Sequence, residues 1–189
     1  MLDLAITFLK DELNTYLLAR TGSDTVKVKA SKLVDEAGKY AFDNDSIGCS
    51  VINIEEERVL KSHQPDYTNI NGQHVVQEPE LRINLHVMFA ANFTHYDQAL
   101  KYISHVLTYF QAHPVLTSDE YPGLAPDIGK LTVELLSLNY EQLNQVWAFI
   151  GGKQLPSVAY KVRMLILRDT AQTAVQPPLT TIRTTIQSR

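Results

Sequence analysis

The stretch LRINLHVMFAANF, Leu81–Phe93, decides the fold. Leu81, Ile83, Leu85, Val87, Phe89 and Ala91 fall on one side of an extended chain, and Arg82, Asn84, His86 and Met88 on the other. Strand side chains alternate between faces, so this spacing predicts a strand with one face against a core. Directly after it the period changes. Thr94 precedes Tyr96, Ala99, Leu100, Ile103, Val106, Leu107 and Phe110, whose steps of three and four mark one face of a helix. Thr94 is the expected N-cap, Asp97 suits the first turn, and His113-Pro114 stops the helix.

The same reading extends in both directions. Leu2, Ile6, Leu9, Leu13, Tyr16 and Leu17 predict a first helix ending near Arg20, before TGSD. TVKVKA, Thr25–Ala30, predicts a short strand, and SIGCSVINIEEERVL, Ser46–Leu60, a β-rich segment. Lys32 to Asp45 gives no assignable pattern. Lys61 to Glu80 is polar, with Pro65, Gly72 and Pro79, and reads as a long loop excursion with a turn at NING. LTVELLSL, Leu131–Leu138, is another strand. Asn139 and Gln142 then have the spacing of a capping box for a helix with an apolar stripe of Leu143, Val146, Trp147 and Ile150, closed by Gly151-Gly152. LPSVAYKVRMLIL, Leu155–Leu167, supplies the last strand. Together these predict an α/β fold: one domain over residues 1–168, with a central mixed β-sheet flanked by helices and the excursion at 61–80. Residues 169–189 turn rich in Thr and Gln, carry Pro177-Pro178, and read as a C-terminal tail or partner-binding arm.

Bulk properties narrow the function. The chain has 189 residues, 44% of them hydrophobic and 20% charged, which suits one globular domain with its own core. Its net charge of −4 argues against general nucleic-acid binding, which draws on a basic surplus. The N-terminus lacks a basic leader region, and Asp3, Lys10, Asp11 and Glu12 interrupt its apolar run, so a helix is expected there and not a signal peptide. No apolar run approaches the roughly 20 residues of a membrane span. Cys49 is the only cysteine, which excludes an internal disulfide.

No motif for chemistry survives inspection. GLAPDIGK has five residues between its glycines, and Leu131 stands where a phosphate loop needs Ser or Thr. The six histidines form no HExxH, and His95 and His105 lie about 280° apart on a helical wheel. FDNDS starts like a calcium loop but lacks the later glycine and glutamate. Glu55, Glu56 and Glu57 alternate faces on a strand, so they form a charged edge before an acid-base cluster. No nucleophile has a base and an orienting group in sequence context. The expectation is a non-enzyme with no catalytic residue, cofactor or metal.

Lys161 and Arg163 share one face of the last strand. Phosphate binding lacks a loop and a helix start, and substrate binding lacks a reactive companion. Contact with acidic groups on a neighbouring subunit is the remaining role.

Several phrases together resemble one family: NLHVMFAANF with its following helix, KLTVEL, EQLNQVWAFIGGK and LPSVAYKVRML. Their order is similar to that of the N-terminal domain of tail-terminator or cap proteins of extracellular contractile injection systems, of the antifeeding-prophage type. The resemblance covers roughly residues 1–168 and does not extend to the excursion or the tail. It implies a phage tail-terminator-like fold and a structural role without catalysis. The implied form is a homo-oligomeric, hexameric ring that ends inner-tube growth and engages the tube protein and the sheath protein, with no nucleic-acid or membrane partner. Assembly in the cytoplasm and release with the particle follow from the same resemblance. Another ring component of such a tail, a connector or tube-completion protein, is the alternative, and a small α/β enzyme ranks behind both. On this reading Lys161, Arg163, Arg82, His86 and Arg183 are the expected subunit or partner contacts.

Overall fold

The structure, a computed structural model, describes residues 1–57, 66–70, 73–77, 81–167 and 174–176, with side chains at 1–57 and 81–163. Among the described residues there are three helices and nine strands. Helix α1 spans Leu2–Thr21, α2 Tyr96–Ala112 and α3 Tyr140–Ile150. The strands are β1 Val28–Ala30, β2 Ser46–Glu56, β3 Asp66–Ile70, β4 Gln73–Gln77, β5 Leu81–Asn92, β6 Val115–Thr117, β7 Lys130–Leu136, β8 Ser157–Leu167 and β9 Ala174–Gln176.

Six strands form one sheet in the order β1-β2-β5-β8-β7-β6. The β1–β2 pair is parallel and the other pairs are antiparallel. β5 sits in the middle, and both its faces are covered. Leu85, Val87 and Phe89 are fully buried against α1 and α2, with Leu9, Leu13, Leu17, Val106 and Phe110 as the main contributors. On the opposite face Met88 and Ala90 are equally buried, under Trp147 of α3 and Leu33 and Phe42 of the connection before β2. The residues that gave no pattern, 32–45, thus form the lid of a second, smaller core. Burial on both faces also explains why Met88 and Ala90 break the simple apolar-polar alternation of β5.

The ends of the elements follow local chemistry. Gly22 (φ 67°) and Gly151 (φ 78°) close α1 and α3 in the left-handed conformation. The capping box of α3 is complete: the Asn139 side chain accepts from the Gln142 amide at 2.8 Å, and the Gln142 side chain accepts from the Asn139 amide at 3.0 Å. At α2 the expectation is corrected. Its N-cap is His95, without a side-chain cap. Thr94 serves the preceding connection instead, accepting from Asn44 Nδ2 at 2.9 Å while its amide donates to Asp45 Oδ1 at 3.1 Å.

Two irregularities shape β5 and its neighbours. The register with β2 shifts between Val51 and Asn53, and that with β8 between Ile83 and Leu85. The second shift places Leu165 opposite Ile83, so that two residues of β8, Arg163 and Met164, stand against the single residue Asn84 of β5. The polar excursion contains an antiparallel hairpin, β3–β4, where a loop with a turn is expected. β9, from the segment read as a tail, pairs with β4 to complete a small second sheet. The Asn71-Gly72 turn and the rest of the tail lie outside the described residues.

Candidate functional site

The α3 face of the sheet is apolar at one end and charged at the other. At the charged end Asn53, His86, Lys161 and Glu134 stand in register across β2, β5, β8 and β7. Side chains opposite one another on adjacent strands are close enough to interact, and opposite charges stabilise the pairing. Lys161 Nζ lies 2.8 Å from Glu55 Oε2, and His86 Nε2 lies 3.3 Å from the same oxygen. Arg163 Nη2 lies 2.7 Å from Glu134 Oε2. The hydrogen bond from Lys161 and then its charge hold the Glu55 carboxyl below its ordinary value, with His86 adding less. Asn84 Nδ2 donates to Glu57 Oε2 at 3.0 Å.

The acidic partners of Lys161 and Arg163, expected on a neighbouring subunit, are therefore found on β2 and β7 of the same sheet. Arg163 keeps 41% of its side chain exposed and Lys161 19%. Arg82, half-buried on β5, lies opposite Ile166, and its carbonyl accepts from the Glu57 amide at 2.9 Å. His86, Lys161 and Arg163 come together with two acids, Arg82 lies further along β5, and Arg183 is outside the described residues. Among the described residues, Asn84 Oδ1 and Arg163 Nε are buried without a hydrogen-bond partner. Both stand at the β5–β8 bulge, where the ladder is interrupted and side chains lose their regular neighbours.

Two further surfaces escaped the sequence reading. On α3, Tyr140 is 94% exposed and Phe149 79%, although the helix buries Trp147 on its inner side. Glu141 is the one charged residue of this helix. Phe149 lies off the apolar stripe of Leu143, Val146, Trp147 and Ile150, and that misfit was its visible signal. On the opposite face of the sheet, a groove runs between α2 and β7, lined among others by Leu107, Val133, Leu135 and Tyr160. Leu135 is 53% exposed, and burial pushes the Tyr160 phenol up to about 12.

Among the described residues no group of three His, Cys, Asp or Glu gathers as a metal site, and no helix is long and apolar enough to cross a membrane. The Cys49 thiol is buried, and desolvation pushes it up to about 12, which removes it as a nucleophile.

The fold is similar to a cryo-EM structure of the PVC sheath/tube terminator of an extracellular contractile injection system in its extended state. The TM-score is 0.68 at 15% identity, over 100% of this chain and 64% of that one. It is also similar to the cryo-EM structure of the anti-feeding prophage cap, a tube-terminating cap. There the TM-score is 0.51 at 16% identity, over 93% of this chain and 59% of that one. The chain thus spans under two thirds of the length of either relative. Comparison with curated proteins finds no significant match. The sequence model of the Pvc16 N-terminal domain matches residues 5–181. The chain belongs to the Pvc16 N-terminal domain family.

Proposed function

We propose that this chain is the terminator of a phage-tail-like contractile injection particle. Copies of it form a hexameric ring on the distal end of the inner tube, stop its growth and attach the last sheath ring. The ring assembles in the cytoplasm and leaves with the particle. The observation that carries this reading is the likeness of family and fold, along nearly the whole chain, to a sheath/tube terminator and a tube-terminating cap.

The physical requirement is asymmetry. A tube ring presents the same surface at each layer, so stacking is open-ended. A terminator has to match that surface on one side and offer nothing equivalent on the other. The surfaces of this domain suit such a task, because they differ from place to place: a charged row on one sheet face, uncharged aromatic groups on α3, an apolar groove on the other sheet face. Arg82, His86, Lys161 and Arg163 are the proposed polar contacts, with Arg183 beyond the described residues. Their role is to set orientation, since pairs already neutralised within the sheet add specificity more than affinity. The work is structural, with no catalytic step and no cofactor.

The test is tube growth. Purified tube protein polymerising alone gives a broad length distribution by negative-stain microscopy. Adding the full chain is expected to shorten the tubes and leave density on one end. Unchanged lengths with bare ends would sink the reading.

A further inference from the structure

The two edges of the six-stranded sheet differ. At the β1 edge, Asn14 of α1 accepts from the Val28 amide at 2.7 Å and donates to the Val28 carbonyl at 3.1 Å, so the outward backbone groups of Val28 are used. At the other edge, β6 pairs with β7 only from Val115 to Thr117, opposite Thr132 to Lys130. The Val133 amide reaches the Pro114 carbonyl at 2.8 Å. Backbone groups alternate in direction along an antiparallel strand, so residues 131, 133 and 135 of β7 turn theirs away from β8. Pro114 has no amide to return to the Val133 carbonyl. Leu135 lies past the start of β6 and has no strand opposite on that side. Among the described residues, the Val133 carbonyl and the Leu135 amide and carbonyl are left without a ladder partner. Such a row is a template for an added strand.

The side chains beside this gap set what fits. Val133 and Leu135 line the groove under α2, of about 360 Å³, with Leu107, Phe110, Pro114 and Tyr160. A strand added to β7 places every second side chain over this groove and the others on the opposite face, beside Glu134. Glu134 keeps 46% of its side chain exposed and ends the row of Asn53, His86 and Lys161. The fitting strand is therefore apolar or β-branched on one side, and polar or basic on the other.

The chain carries such a segment in TTIRTTIQ, Thr180–Gln187, outside the described residues. Thr180, Ile182, Thr184 and Ile186 alternate with Thr181, Arg183, Thr185 and Gln187. Six of the eight are β-branched, which favours a strand, and Arg183 is the only charge. We infer that Thr180–Gln187 of one copy adds as a strand to the open β7 edge of a neighbouring copy. Ile182 enters the groove beside Leu135, and Arg183 meets Glu134, an opposite-charge pair across strands. The same copy's tail has a short reach for its own groove. β9 pairs with β4, which leads into β5 at Leu81, opposite Leu167. Leu135 stands opposite Tyr160, seven residues or about 23 Å back along β8. The six residues from Gln176 to Ile182 span at most about 20 Å. Tail and edge are different surfaces, so the contact is head-to-tail and can close a ring. It rests on the ring-forming reading above and supplies its subunit contact.

The experiment uses the full chain, a tail variant with Ile182→Asp and Ile186→Asp, and a groove variant, Leu135→Asp. Light scattering after size exclusion reads mass, circular dichroism reads folding, and amide hydrogen exchange reads strand pairing. The wild type is expected to assemble, with slow exchange at Leu135 and across Thr180–Gln187. Each variant alone is expected to be a folded monomer with fast exchange at both places, since losing an apolar anchor weakens such contacts at least about tenfold. An equimolar mixture still holds one intact tail and one intact groove, and is expected to stop at a one-to-one pair. Variants that keep the wild-type mass, or a mixture that stays monomeric, overturn the inference. So does a monomeric wild type, whether its tail exchanges fast or is protected in its own groove. Leu135→Thr, which keeps a β-branched residue on the strand, replaces the aspartate if that variant misfolds. Tube growth separates the two claims. A wild type that caps tubes while the variants keep its mass refutes this contact alone. Assemblies that dissolve in the variants but never shorten tubes refute the terminator reading alone.

Discussion

Reversing Lys161 to glutamate probes the charged row. The substitution removes the 2.8 Å pair with Glu55 and places a carboxylate beside Glu55 and in register with Glu134. An exposed pair contributes about 0.2–1 kcal/mol. The upper end applies here, because the Lys161 side chain is only 19% exposed, but Glu55 at 47% keeps solvent screening in play. Lost attraction plus new repulsion of similar size gives a cost of about 2 kcal/mol. That is well below the roughly 5–15 kcal/mol holding a domain together, so the variant stays folded. Urea denaturation followed by circular dichroism measures the loss. The charge swap Glu55→Lys with Lys161→Glu is expected to recover about 1 kcal/mol of it, as contacting residues couple. Additive losses with no recovery would show that the two side chains do not pair. An unfolded Lys161→Glu chain would show that the row is a structural necessity of the sheet and would remove its role as a contact surface.

Three further outcomes follow from the geometry. The Glu55 carboxyl is depressed below its ordinary 4.5, so its stabilising contribution is complete above pH 4.5 and is lost as pH falls through the folded value; the urea-midpoint gap between wild type and Glu55→Gln should close in acid. Gly48→Ala brings a methyl to 2.7–2.9 Å from the Phe42 ring and should cost about 1–3 kcal/mol, with part recovered by Phe42→Leu in a thermal-melt double-mutant cycle. Asn139→Ala removes the capping box of α3 and should lower the melting temperature by about 2–4 °C, from a loss of about 1 kcal/mol.

Much of the fold was legible because period and capping are local. The alternation of Leu81–Ala91 and the step of three and four after it give β5 and α2, and Asn139 with Gln142 marks the start of α3 to the residue. Thr94 misled because a good capping residue was recruited by Asn44 and Asp45 from a distant connection. Residues 32–45 were unreadable because Leu33 and Phe42 fold as single anchors over the sheet, without any period. The bulges at Ile52 of β2 and at Arg163-Met164 of β8 depend on neighbouring strands and leave no trace in one strand's own pattern. Lys161 and Arg163 were legible as a basic pair, but their partners Glu55 and Glu134 are set by strand order, which no local spacing encodes. The groove at Tyr160 arises only where α2 crosses the sheet.

A terminator has one place on an intact particle, and locating the chain there tests its role. Gold-labelled antibody against this chain is expected to decorate one end of each extended particle, the end opposite the baseplate, and nowhere else. Label spread along the sheath, confined to the baseplate, or absent from particles would contradict it.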